Sequence, residues 1–218
     1  MAKKIATVVL LIVFILDLFF VWTGNNESRF FTKTLLLPLL ILIYFVSLKQ
    51  LGSSTTLRLN RTFVTGLFLS FLGDFFLLFD WGFLPGLGSF LTAHMFYIFT
   101  FKKLKQLKIS ELWFFGVSIY VATLLVYLFP ALNEMKIPVV LYAIVIGVMF
   151  LNALKTKNRL LILGAFLFVI SDTLLAVNLF VNSDKILTVL VMITYVFAQL
   201  FLVFGMLSNP EKLQNSGN

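Results

Sequence analysis

The sequence predicts an all-α, polytopic membrane protein with eight transmembrane helices, and three observations carry that prediction. The 218 residues are 61% hydrophobic and 12% charged, against roughly 25% charged in a soluble domain, and the mean hydropathy is +1.05. So few polar residues could not cover such an apolar inventory in water. The apolar residues fall into eight runs, each close to the ~20 residues a bilayer-spanning helix needs. The basic residues collect in alternate gaps between the runs, where they orient the chain. A secreted disulfide scaffold is excluded by the absence of cysteine, and a disordered chain by the hydropathy. The net charge of +8 is a topological signal, and no nucleic-acid partner is expected from it.

The runs, in order, are Ile5–Trp22, Thr34–Leu51, Thr62–Asp80, Gly86–Phe101, Leu112–Phe129, Ile137–Leu154, Leu160–Val181 and Ile186–Leu207. The first follows Lys3 and Lys4 as a signal peptide would. It is too long for a cleaved apolar region, carries Asp17 and lacks a small-x-small site near its end, so it reads as a retained helix. Pro38 and Pro138 stand near helix starts, where proline is tolerated. Between the third and fourth runs, Trp81–Gly88 holds Pro85 and three glycines, which gives the fourth helix a tight or re-entrant start. The expected organisation is one domain over residues 1–207 and a polar cytoplasmic tail over 208–218. Thirteen of the seventeen basic residues lie in the tails and even-numbered turns; Arg29, Lys33, Lys136 and Lys185 are the other four. That bias places both termini in the cytoplasm, as an even number of spans requires.

The halves resemble each other. Leu69–Leu78, with Gly73-Asp74 at its centre, aligns with Leu167–Ala176, with Ser171-Asp172, at an offset of 98 residues. The same offset takes Tyr97 to Tyr195. Ninety-eight residues hold four spans, so this is a parallel four-plus-four repeat with halves 1–109 and 110–207.

Ionisable groups inside a membrane are functional candidates by default, because a charge at the bilayer centre costs from ~3 to over 10 kcal/mol. Here they are Asp17, Asp74, Asp80, His94 and Asp172. At ~1.5 Å per residue, Asp74 lies about 9 Å from the outer end of span three and Asp172 about 14 Å from that of span seven. His94 and Tyr195 lie about 12–14 Å into spans four and eight. The four therefore share one slab of the outer leaflet. His94 and Tyr97 share a helix face, as do Tyr195 and Gln199. Gly73 and Ser171 are small enough to admit a neighbouring helix. Asp17 and Asp80 read as wet interfacial groups, and Lys33 stands at the outer mouth of span two, as an anchor or as the partner of a carboxylate or phosphate.

These residues resemble a known family. Ser70, Gly73, Asp74 and Leu77, followed by Phe83, Gly86, Phe90, His94 and Tyr97, are similar to the pattern S-x-x-G-D-x-x-L … F-x-x-G … F-x-x-x-H-x-x-Y of the YhhN / transmembrane protein 86 family. Ser171, Asp172 and Leu175, then Tyr195 and Gln199, resemble its second-half pattern S-D-x-x-L … Y-x-x-x-Q. Thr32-Lys33-Thr34-Leu35 resembles its T-K-P-L, with Thr34 in place of the proline. The similarity spans roughly residues 30–207. Characterised members are lysoplasmalogenases, so the resemblance implies an eight-helix intramembrane hydrolase. Such an enzyme converts a lysoplasmalogen to a fatty aldehyde and a glycerophospho-headgroup. It carries Lys33, Asp74, His94, Tyr97, Asp172, Tyr195 and Gln199 over as site positions.

The chemistry agrees with the inventory. A vinyl ether resists nucleophiles but becomes an oxocarbenium ion once its β-carbon is protonated. The reaction needs a carboxylic acid that stays neutral near pH 7 and a second group to direct water, a division of labour two carboxyls can supply. Asp74 and Asp172 are the expected catalytic pair, with the choice of acid open. His94, Tyr97, Tyr195 and Gln199 are expected to orient water and the ether oxygen, and Lys33 to meet the lipid phosphate. The expected partners are a lysophospholipid and membrane lipids, the expected location a bacterial cytoplasmic membrane, and no metal or other cofactor is called for. Two alternatives remain. A proton-coupled transporter also uses buried Asp, His and Tyr. A metal-dependent lipid hydrolase has one histidine and no cysteine against zinc, but carboxylates for Mg²⁺ or Ca²⁺.

Overall fold

A computed structural model describes residues 2–51 and 60–208. It has eight α-helices and, among the described residues, no strand. They are α1 (Ala2–Thr23), α2 (Asn26–Leu51), α3 (Arg61–Phe76), α4 (Phe83–Lys103), α5 (Glu111–Leu128), α6 (Lys136–Lys155), α7 (Arg159–Phe180) and α8 (Lys185–Leu207). The chain is an integral, multi-pass membrane protein. Seven helices are long and apolar enough to cross a bilayer; α3, with 16 residues, is about 24 Å long and falls short of a ~30 Å hydrocarbon layer. Of the polar tail expected at 208–218, residues 209–218 lie outside the described residues, as do Arg58 and Lys212 of the charge bias.

Local chemistry sets the helix ends. Asn60 accepts a hydrogen bond from the Phe63 amide, Ser110 from Leu112, Asn158 from Leu160 and Leu161, and Asp184 from Ile186, each satisfying amides with no partner inside the helix. Gly24, at φ +74°, ends α1: its amide bonds the Val21 carbonyl and that of Asn25 the Phe20 carbonyl, a pair of bonds that requires the left-handed conformation at this position. Pro85 and Pro138 each occupy the third position of a helix, where no intrahelical amide bond is lost; Pro38, expected near a helix start, lies in the interior of α2 because that helix begins at Asn26.

Three boundaries differ from the hydropathy reading, and each matters to the site. Helix α2 begins at Asn26 instead of Thr34, so Lys33 sits about 10 Å inside it. Helix α3 stops at Phe76 instead of Asp80, its last turn closed by the Leu77 amide on the Gly73 and Phe75 carbonyls. After a short 3-10 turn at Asp80–Gly82, α4 starts at Phe83, so the expected eight-residue connection is shorter. Hydropathy misplaced these ends because the polar first turn of α2 and the apolar Leu77–Phe79 turn carry the composition of the other class. Asp74 thus lies two residues from a break in the helix, where irregular backbone is tolerated because it lines a cavity.

Helices α2, α3, α4, α6, α7 and α8 form a closed ring in which each packs on the next and α8 returns to α2. Helix α1 packs outside the ring on α2 and α8, and α5 outside it on α6 and α7. Asn60 and Asn158, the caps of α3 and α7, are 98 residues apart, as are Arg61 and Arg159 beside them. In lipid such packing relies on close approach and interhelical hydrogen bonds. The Phe90 ring of α4 lies against Gly73, where a Cβ would come within 2.5 Å of it. Ser171 donates to the Val191 carbonyl across α7 and α8. Both small residues admit a neighbour, as their positions suggested.

Candidate active site

The ring brings the polar side chains of α2, α3, α4, α6, α7 and α8 into its interior. Asp74 is 4% exposed and Lys33 8%, and Lys33 Nζ is 3.7 Å from Asp74 Oδ1. The other carboxylate oxygen, Oδ2, accepts a 2.6 Å hydrogen bond from Tyr195. The network continues without a gap. Gln199 Nε2 reaches the Tyr195 hydroxyl at 3.5 Å, Tyr97 donates to Gln199 Oε1 at 3.1 Å, and Ser70 meets the Tyr97 hydroxyl at 3.1 Å. Each membrane-buried polar group here therefore has a partner, which is how such a cluster is tolerated.

Asp172 has a separate set of contacts. Its Oδ2 accepts a 2.6 Å bond from Tyr142 and lies 3.9 Å from Nε2 of His94. His94 is 1% exposed, boxed by the rings of Phe168, Tyr142 and Tyr97, and its Nε2 carries no hydrogen bond. A buried polar atom without a partner calls for an explanation.

Asp74 and Asp172 meet across one small cavity of about 60 Å³, whose wall also includes Arg29, Lys33, Tyr195 and Ser171. Asp172 further lines an apolar groove of about 370 Å³ between α5, α6 and α7. Asp172 alone of the candidates is in the wall of both the small cavity and the apolar groove.

All seven site positions expected from the sequence face this interior, in two groups. Lys33, Asp74, Tyr195, Gln199 and Tyr97 form one chain, and His94 and Asp172 the other, joined by the shared cavity. Lys33, expected at an outer mouth, lies inside α2 as the counter-ion of Asp74. Asp17, expected to be wet, is 0% exposed and accepts a 2.9 Å bond from Thr32. Asp80 is exposed, as expected. The sequence reading missed three residues. Arg29 had a signal, since it stands four residues before Lys33 and so on the same helix face. Ser70 had one as well, as the first residue of the aspartate motif. Tyr142 is 98 residues from Tyr44, which the repeat comparison could have noticed. Among the described residues, no three His, Cys, Asp or Glu side chains converge on a point where they could hold a metal ion.

Comparison with known proteins bears on these positions. The YhhN family pattern matches residues 28–206, which contain every residue of the cluster. The chain is 32% identical to the lysoplasmalogenase TMEM86B of Mus musculus over 176 residues, 79% of this chain and 74% of that protein. It is 28% identical to the lysoplasmalogenase TMEM86B of Homo sapiens over 88% of this chain and 82% of that one. A lysoplasmalogenase of Mycobacterium bovis is 27% identical over 73% of this chain and 65% of its own length. No solved structure matches it significantly.

Proposed function

Since the chain belongs to the YhhN family, we propose that it hydrolyses the vinyl ether bond of a lysoplasmalogen-type lysophospholipid. The products are a fatty aldehyde and the glycerophospho-headgroup. The observation that carries this reading is the pair of aspartates on one cavity, Asp74 buried and Asp172 partly buried, each hydrogen-bonded by a tyrosine at 2.6 Å, in a chain similar to lysoplasmalogenases.

The geometry supports a division of labour. Lys33 Nζ, 3.7 Å from Asp74 Oδ1, supports Asp74 as the carboxylate that accepts a proton from water. Asp172, in the wall of the apolar groove, is the proton donor. It protonates the β-carbon of the vinyl ether, and the electron pair of the double bond forms the new C–H bond. The ether oxygen shares its lone pair to give the oxocarbenium ion. Water adds to that carbon as Asp74 takes its proton, and the resulting hemiacetal collapses to aldehyde and alcohol. The two protonation states are restored by transfer through the site, so the net change is addition of one water. His94 Nε2 is placed to hold the ether oxygen or the water, and the Tyr195–Gln199–Tyr97 chain fixes the orientation of Asp74. General acid–base assistance of this kind is typically worth 10²–10⁴-fold.

We propose also that residues 1–207 form one domain built from a parallel repeat with both termini cytoplasmic, in a bacterial inner membrane. The α2–α3–α4 and α6–α7–α8 arcs of the ring, with α1 and α5 packed outside them, support the repeat. Reporter fusions after Asn26 and after Asn218 test the orientation, and should report opposite sides of the membrane. Fusions reporting the same side would overturn it.

The function is tested by incubating purified protein with a lysoplasmalogen and with its saturated ether analogue. Aldehyde should appear from the first alone, at a rate unchanged by EDTA. No aldehyde from any lysoplasmalogen would refute the reading. A rate abolished by chelation and restored by a stoichiometric divalent ion would replace the two-carboxylate mechanism with a metal-dependent one.

A further inference from the structure

Helix α5 is held differently from the rest. Only 6% of its membrane-crossing window is buried in the protein, and its one side-chain hydrogen bond among the described residues to another helix joins Tyr120 to Thr173 at 2.6 Å. Between its inner face and α6 and α7 runs the groove of about 370 Å³, within the range of small-molecule sites. Its α5 wall is the stripe Trp113, Gly116, Val117, Tyr120, Val121 and Leu124, spaced as one helix face. The polar wall atoms collect at mid-depth, at Asp172, Tyr142, Tyr120 and Thr173. From there toward Phe150 and Phe166, six to eight residues along α7 and α6, the lining is apolar for about 9–12 Å.

We infer that this groove seats the hydrocarbon chain of the substrate, and that Gly116 sets the length of chain it accepts. The inference rests on the vinyl ether hydrolase reading and adds to it a chain subsite and a specificity-determining residue. The occupant follows from continuity. Asp172 is in the wall of both the groove and the chamber that holds Arg29 and Lys33. A molecule lying along the groove and reaching the chamber has one apolar chain and an anionic group near Arg29 and Lys33, which share that wall with Asp74 and Asp172. That is a single-chain phospholipid with its first chain carbons at the reacting centre. A volume of about 370 Å³ is a fraction of that of a transmembrane helix, about 10–12 Å in diameter with its side chains.

Gly116 leaves the groove its width. A Cβ there meets nothing within 4 Å, so the backbone has room for a larger residue, and the side chain would occupy the space beside Trp113 and Val117. Gly88, on α4, is equally unobstructed and is not part of the groove, which makes it the control.

The test uses the full-length protein and saturated 1-O-alkyl lysophosphatidylethanolamines of graded chain length, which lack the reactive double bond. Binding is followed as thermal stabilisation. In the wild type the concentration giving half-maximal stabilisation should fall with chain length and then level off. In Gly116→Phe the longest chains should lose at least about tenfold relative to the shortest, the scale of steric discrimination in an apolar pocket. Gly116→Leu should shift the profile the same way by less, and Gly88→Phe should leave it unchanged. An unaltered chain-length profile in both Gly116 variants overturns the subsite. Aldehyde release from vinyl ether counterparts is measured in parallel. A shifted binding profile without aldehyde would support the groove while refuting the hydrolase reading.

Discussion

Asp74→Asn and Asp172→Asn should each lower the rate of aldehyde release by at least ~100-fold while the protein still folds. Asparagine keeps an oxygen to accept the bond from Tyr195 or Tyr142 and removes only the ionisable group. The double variant should be little worse than the more damaged single one, because residues acting as a unit are strongly non-additive. Asp80→Asn is the control: it is exposed in the turn before α4 and should cost little activity. A structural carboxylate would give a different pattern, with lost thermal stability and near-normal turnover in the folded fraction. If Asp80→Asn were inactive and Asp172→Asn near wild type, the chemistry would belong at the outer surface and the paired-aspartate site would be wrong.

Lys33→Met should have the largest effect on stability. Removing one partner of a buried ion pair leaves the other uncompensated, at a cost of about 3–5 kcal/mol, or roughly 6 °C or more in Tm for a chain of this size. Here the stranded group is Asp74, 4% exposed, with Lys33 Nζ its one cation within 4 Å among the described residues. Adding Asp74→Asn to Lys33→Met removes the unpaired charge and should recover most of the lost stability without restoring activity. Denaturation of the two variants against Asp74→Asn measures this coupling. Equal losses in Lys33→Met and in the double variant would show that Lys33 acts through packing of its stem and not through its charge. An interfacial lysine of the kind the hydropathy boundaries suggested would show almost no effect, since exposed pairs are worth about 0–1 kcal/mol.

The residues that stand out in the sequence are those a bilayer makes expensive. Asp74, His94, Asp172 and the two tyrosines stood out because a polar group in an apolar run must be satisfied or used, and all of them face the interior of the ring. The number of helices was equally legible, since length and hydropathy are properties of each run alone. What failed at the ends of α2 and α3 was composition. Seven polar or aromatic residues before Lys33 resemble a loop, and Leu77–Phe79 resembles a helix, while hydrogen bonding decides the boundary. Asp17 was misread for a related reason: its position near the end of a run says nothing of Thr32, which lies fifteen residues away and bonds it.

The pairings belong to the tertiary structure. Tyr195 meets Asp74 across 121 residues and Tyr97 meets Gln199 across 102, and nothing local encodes either contact. In a soluble helix an apolar stripe would reveal the inward face. These helices are apolar on every side, because lipid is as apolar as the core they pack on, so their rotation is not written in a period. The sequence by itself determined that eight apolar helices carry a few costly polar groups at similar depth. Only the packed ring decided that Lys33 lies against Asp74, that Tyr142 bonds Asp172, and that α5 stands off far enough to leave a groove with a carboxyl in its wall. Transfer into a bilayer is a cost each segment meets alone, whereas close approach and interhelical hydrogen bonds exist only between segments.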